Sequence, residues 1–302
     1  MKPPWATRLR EEPEVKRFEF IQANRRKYRV AKLCMVLGVS RSGYYAWDKR
    51  PQSGREKENE AIMEQIKEIH KKSGRAYGSR KITAELRRNG KVVNHKRVER
   101  LMREAGIRSK VARKFKATTN SRHSLPVAEN ILNREFDADR PNQKMVSDIT
   151  YLWTDEGWLY VAAVMDLYGQ IIVGLSMSER MTKELVINAL EGAWLRSGRP
   201  SDVLLHSDRG SQYCSHDYQA LLRSYSFICS MSRKGNCWDN APMEAFWGKM
   251  KYEWLFGQRF KTRDEARAAV FEYVEIFYNR VRLHESNGYF TPEEYYYNYR
   301  AA

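Results

Sequence analysis

The spacing of apolar positions changes once along this chain. Before about residue 116 they recur at helical intervals in short stretches divided by small turns; from Lys144 onward they alternate or run together as strands do. VAKLCMVLGVSRSGYYAW, Val30 to Trp47, predicts a helix, a turn at Gly38 and a second helix capped near Ser40. Leu33, Val36, Leu37, Val39 and Tyr44 would fill a small core. A second unit follows. EAIMEQIKEIHKKSG sets Ile62, Ile66 and Ile69 on one face and stops at Gly74, and YGSRKITAELRRNG repeats the plan with Ile82 and Leu86, ending at Gly90. NHKRVERLMREAGI offers Asn94 as N-cap, Val98, Leu101 and Met102 as a buried stripe, and Gly106 as C-cap. Two units of helix-turn-helix type thus stand in tandem.

Residues 110–140 keep no period, and KVARKFKATTNSRHS is expected to be extended or disordered when free. Beyond it, KMVSDITYLW alternates, WLYVAAVMDLYG and QIIVGLSMSE read as a hairpin through Gly169, and TKELVINALEGAWLRSG is an amphipathic helix ending at Gly198. DVLLHSD predicts a strand, HDYQALLRSYS a helix, FICSMS a strand, and a long helix runs from Pro242 with Met243, Phe246, Met250 and Trp254 on its buried face. Three meandering strands and then alternating helix and strand is the order of an RNase H-type α/β core, though composition does not separate it from other α/β folds. The expected division is a helical N-terminal domain over 1–55, a second helix-turn-helix domain over 56–109, a basic linker over 110–140, the α/β core over 141–256 and a helical extension over 257–302.

Charge sharpens this picture. The 302 residues hold 54 Lys and Arg against 37 Asp and Glu, a formal net charge of +17, which favours a polyanionic partner. No apolar run approaches the ~20 residues that span a bilayer, and no signal-peptide pattern opens the chain; an intracellular protein is expected. Lys96, Arg97, Arg100 and Arg103 make the last helix of the basic half the candidate for the DNA major groove. Cys34, Cys214, Cys229 and Cys237 form no CxxC pair and read as reduced thiols without a zinc site.

Three acids occupy comparable places: Asp148 in the first core strand, Asp208 at the end of a later one, and Glu244 in the first turn of the long helix. Carboxylates are the ligands hard divalent cations prefer, and two Asp on adjacent strands with a Glu from a crossing helix could meet at one sheet edge. Asp166 also ends a strand and reads as a turn residue. His206, two before Asp208, points to the same face of its strand as a possible neighbour of the site or a hydrogen-bonded structural histidine. Gly210 would allow a close backbone approach to DNA, with Arg209 as a DNA contact. Asn236, Asp239 and Asn240 look like a loop and N-cap. The aromatic residues of the tail (Tyr273, Phe277, Tyr278, Tyr289 and Tyr295 to Tyr297) are assigned to packing rather than to stacking on DNA.

SDITYLW, HSDRGSQY and GNCWDNAPMEAFWGKMKYE closely resemble the three signature blocks of DDE transposases, specifically the OrfB product of the insertion-sequence group three, relatives of retroviral integrases. LGVSRSGYYAW, YGSRKITAEL, NHKRVERLMREAGI and YNRVRLHESNGYFTPEEY extend the resemblance over nearly the whole chain. It implies an integrase-like core with Asp148, Asp208 and Glu244 as a metal-binding catalytic triad, Mg²⁺ (Mn²⁺ substituting) at a two-metal site, and strand cleavage followed by 3′-OH transfer. Lys251 matches a family position seven residues past Glu244, nearly two helical turns on, so that Glu244, Gly248 and Lys251 share one face. Lys251 would hold a DNA phosphate. The resemblance further implies terminal inverted repeats and target DNA as partners, a homo-oligomer on DNA, a partner or frameshift fusion from an upstream frame, no membrane, and a bacterial, cytoplasmic, nucleoid-associated location. Asn287 stands where relatives often carry an aliphatic residue. The alternatives are a DNA-binding regulator with a silent core and a structure-directed nuclease.

Overall fold

A computed structural model describes residues 9–110 and 125–301. Residues 111–124 of the expected linker therefore lie outside the described residues. The chain divides into two compact units, one ending at Ile62 and the other beginning at Met63.

The first unit holds α1 (Glu14–Asn24), α2 (Val30–Leu37) and α3 (Arg41–Asp48). Gly38 takes the left-handed turn at φ +68°, and the Ser40 hydroxyl caps α3 by accepting the Gly43 N–H at 2.9 Å. The core differs from the expected one. Val36 and Val39 are only half-buried, and their places are taken by Cys34 and by Phe18 and Ile21 of α1. The pattern gave no prediction of α1, because two apolar residues three apart are too short a stripe to announce a helix by themselves.

The helix α4 (Gly54–Lys72) runs across the unit boundary, and α5 (Ser79–Arg88) and α6 (His95–Glu104) follow. Asn94 caps α6, its side-chain oxygen accepting the Lys96 N–H at 2.9 Å, and Val98, Leu101 and Met102 are buried. The opposite face of α6 carries exposed Lys96 and Arg103 with half-buried Arg97 and Arg100.

The core sheet is β1 (Lys144–Thr154), β2 (Gly157–Asp166), β3 (Ile171–Ser178), β4 (Leu204–Ser207) and β5 (Ile228–Met231), in the order β3-β2-β1-β4-β5. β1, β2 and β3 pair antiparallel as a meander; β4 and β5 join parallel to β1. Between the strands run α7 (Lys183–Arg196) and α8 (His216–Ser224), whose Leu185, Val186, Ala189, Leu190, Tyr218 and Leu222 complete the main core. At Gly174 of β3 an added Cβ would stand 2.2 Å from the Ala189 carbonyl oxygen, so the close seat of α7 on the sheet depends on that missing side chain.

The helix expected from Pro242 is shorter than its pattern. α9 (Ala241–Met250) passes at Lys251 into a π-helical turn, Lys251–Leu255. α10 (Arg263–Phe271) likewise continues as a π-helical stretch, Glu272–Tyr278, before α11 (Pro292–Ala301). Most of the tail packs as expected, with Tyr273, Phe277, Tyr278 and Tyr296 buried and Tyr289 and Tyr295 half-buried, but Tyr297 is exposed. Polar bonds fix it to the sheet. Asn279 both donates to and accepts from the backbone of Ile172, and the buried Asn287 amide donates to the Gly169 carbonyl at 2.8 Å.

Candidate active site

The parallel pairing of β1 with β4 lasts three rungs, from Lys144 with Leu204 to Val146 with His206, and then the strands part. Asp148 and Asp208 each lie two residues beyond the last rung. A fork between two parallel strands leaves backbone and side chains reachable at the sheet's carboxyl edge, and both acids stand in it half-buried. The two carboxylates are close enough to interact. Burial pushes the Asp148 carboxyl well above the ordinary range, and the Asp208 charge pushes it further, with a smaller push from Glu244. Glu244, in the first turn of α9, is itself raised by burial.

Each Asp is oriented by a neighbour. The indole N–H of Trp247, three residues along α9 from Glu244, donates to Asp148 Oδ2 at 3.1 Å. The Gly210 N–H donates to Asp208 Oδ1 at 2.8 Å, and a Cβ on Gly210 would come within 3.0 Å of that same oxygen. The close approach at Gly210 is therefore to the acid of its own turn. Asn240 stands at the N-cap of α9 as expected, but its side chain makes no cap bond; its amide donates to the Ser147 carbonyl at 3.0 Å and pins the helix start to β1 beside Asp148. Among the described residues no group of three His, Cys, Asp or Glu side chains stands close enough to hold one metal ion.

Lys251 extends over the ring of Tyr151, 5.3 Å from its centroid, and within electrostatic reach of Asp148. Burial lowers its pKa and the Asp148 charge works against that fall. The remaining residues singled out in the sequence make other contacts. His206 is wholly buried between β4 and β5, with Nδ1 2.8 Å from Ser230 Oγ and Nε2 3.0 Å from Ser232 Oγ; burial depresses its pKa to about 4. Of its two readings the geometry gives the structural one. Arg209 donates from Nε to the Ser232 carbonyl. Asp166 is a buried turn staple that accepts the N–H groups of Asn142 and Tyr168, and burial raises its pKa to about 7. Asp239 is buried between Arg134 and Arg233, and hydrogen bonds, Arg233's above all, hold it far below the carboxylate range. Cys34 and Cys214 are buried free thiols and Cys229 is a half-buried one.

Sequence reasoning missed Trp247 and Tyr151, and named Asn240 only as a cap. A signal existed for Trp247 alone: a polar-tipped aromatic at i+3 from Glu244 shares its helix face.

Residues 57–115 match the HTH-like domain family, and residues 138–237 and 226–292 match two integrase core domain families. Transposase InsF for insertion sequence IS3A of Escherichia coli (strain K12) is 42% identical over 92% of this chain and 98% of that protein. The chain belongs to the IS3 family of insertion-sequence transposases. Insertion element IS600 uncharacterized 31 kDa protein of Shigella sonnei is 51% identical over 86% of this chain and 96% of its own length. Among solved structures, a chain of the simian T-cell lymphotropic virus intasome in complex with PP2A regulatory subunit B56 gamma shares 15% identity, with a TM-score of 0.45, covering 76% of this chain and 74% of its own. Helix-turn-helix region, integrase-like core and following helices are the architecture of a DDE-type polynucleotidyl transferase, and DNA is the partner of this IS3 family transposase. Among the described residues no helix is long and apolar enough to cross a membrane.

Proposed function

We propose that this transposase cuts one strand at each transposon end and joins the freed 3′-OH to target DNA, with Asp148, Asp208 and Glu244 as the acidic residues of the reaction centre. The placement of Asp148 and Asp208 at equal distances beyond the β1–β4 fork, with Lys251 beside Asp148, carries this reading.

The donor set suits a hard divalent cation, since it consists of carboxylate oxygens. Asp148 also bears the repulsion of two neighbouring acids, which a cation relieves. Asp148 and Asp208 would hold Mg²⁺, or Mn²⁺ in its place, and Glu244 would draw in as a third donor only when the ion and DNA are bound; a bound pair of ions would activate the attacking oxygen and stabilise the leaving one. Trp247 orients the Asp148 carboxylate and the Gly210 N–H that of Asp208, each by a hydrogen bond to one oxygen. Lys251 holds a phosphate next to the scissile bond, compensating charge that builds on the phosphoryl oxygens. Water attacks first and the liberated 3′-OH attacks second, each in line, and no protein nucleophile is used. Lys96, Arg97, Arg100 and Arg103 place α6 in the major groove, Arg209 contacts the DNA strand near the centre, and binding weakens steeply with salt. The protein works as a homo-oligomer on DNA in the bacterial cytoplasm, with an upstream-frame product contributing to recognition of the terminal repeats.

The test is strand joining of precleaved transposon-end DNA into supercoiled plasmid with Mg²⁺ or Mn²⁺, alongside Asp208→Asn. Joined product from the wild type and none from the variant is expected. Equal joining by both would remove Asp208 from the centre.

A further inference from the structure

The turn that begins at Lys251 is π-helical, a geometry of poorer hydrogen bonding that is rare in proteins and persists where the surroundings hold it. Here the surroundings come in large part from the second helix-turn-helix segment. We propose that this segment is a positioning element of the active site: Gly74, Tyr77 and Lys110 fix the turn Lys251–Leu255 and so fix the reach of Lys251 toward the phosphate. The proposal rests on the reading of Lys251 given above and adds what holds it in place.

Three ties converge on the turn. The first runs through Glu253, whose buried carboxylate is gripped in a fork by Arg282, at 2.7 Å from Nε and 2.6 Å from Nη2, and receives the Tyr273 hydroxyl at 3.2 Å. Arg282 is aimed by the residues on either side of it. The buried Tyr77 hydroxyl donates to the Val281 carbonyl at 3.0 Å and accepts the Leu283 N–H at 2.8 Å. One hydroxyl from the region between α4 and α5 thus clamps the backbone that carries the guanidinium. The second tie is Lys110 Nζ, which donates to the Glu253 carbonyl at 2.5 Å. The third is steric. A Cβ added at Gly74 would lie 3.2 Å from Trp254 Cζ3, so the indole rests against the Gly74 backbone, while the ring centroids of Phe277 and Tyr273 lie 5.0 and 5.9 Å from its own.

The energetic logic is that of a buried pair. Glu253 and Arg282 are both almost wholly out of water, and each is tolerable there only because the other is present in bidentate geometry. Moving the 281–283 backbone by a fraction of an ångström would open the fork and strand two buried charges. Tyr77 therefore restrains a position and not merely an area of contact. The restrained turn has Lys251 as its first residue, next to Asp148.

The experiment uses the full chain with Tyr77→Phe, which keeps the ring and deletes both hydrogen bonds, measured with and without Lys251→Ala. Amide exchange at residues 251–255 should quicken at least tenfold while amides of α7 stay unchanged. Strand joining should fall about tenfold. Affinity for precleaved end DNA should fall by no more than the loss caused by Lys251→Ala alone, and Tyr77→Phe should add nothing to that loss in the double variant. Affinity remains readable where joining is abolished. Unchanged exchange at 251–255, or a uniform rise throughout the core, would overturn the coupling, as would a Tyr77→Phe loss of affinity that is equally large with and without Lys251. Local quickening with normal end binding and joining by Lys251→Ala would instead overturn the role of Lys251 at the phosphate, and with it the assignment of this segment to catalysis.

Discussion

Trp247→Phe isolates one interaction at the centre. Phe keeps an aromatic ring on the buried face of α9 but removes the indole N–H that donates to Asp148 Oδ2 at 3.1 Å. A hydrogen bond to a charged group contributes about 1.5–3 kcal/mol. If Trp247 aims the carboxylate in the reacting geometry, most of that is lost from the transition state, which corresponds to a fall of about 10- to 100-fold in rate. The carboxyl of Asp148 is already pushed upward by burial and by Asp208, and the indole bond opposes that push. Its loss makes the ionised form harder to reach, so the variant should also need more Mg²⁺ for half-maximal rate. The assay is single-turnover strand joining across a Mg²⁺ series, normalised to folded protein by thermal melting, with end-DNA affinity measured in parallel. A rate within about twofold of wild type at limiting and saturating Mg²⁺ would refute the reasoning, because a hydrogen bond of ordinary strength to a working carboxylate is worth more than that. A loss fully matched by weaker DNA binding would refute it as well.

Two further outcomes follow from His206 and Lys96. His206 has a folded pKa of about 4 against 6.5 for an ordinary histidine, so between those values the unfolded chain takes up a proton that the folded chain refuses. Stability is therefore lost as pH falls from 6.5 toward 4, at up to about 1.4 kcal/mol per pH unit; urea unfolding at pH 7.5 and pH 5 should show this loss smaller by roughly 2 kcal/mol in His206→Asn, and an identical loss would contradict the buried neutral ring. On the exposed face of α6, Lys96→Ala should weaken binding to specific and non-specific duplex alike and lower the slope of log affinity against log salt by about 1, whereas an unchanged slope would take Lys96 off the phosphate backbone.

What the sequence determined by itself was the local order. Helical period with Gly and Asn stops delivered α2 to α6, and alternation with a Gly169 turn delivered the β1–β2–β3 meander, because capping, turn chemistry and periodicity act within a few residues. The three acids were named from the short blocks around them, since a strand end or a first helical turn is itself a local feature. Tertiary structure decided what those residues meet. The short β1–β4 pairing sets Asp148 beside Asp208, and no spacing of residues 60 apart in the chain specifies such a register. The fates of His206 and Asp166 were settled by burial: one is locked between Ser230 and Ser232, the other staples a turn, and solvent exclusion is a property of the whole fold. Trp247 at Asp148, Asn240 at Ser147 and Tyr77 around Arg282 are contacts across 93 to 206 residues, invisible to any local pattern. The break of the α9 helix into a π-helical turn at Lys251 belongs with them: its own residues read as continuous helix, and the buried Glu253–Arg282 fork accompanies the altered winding.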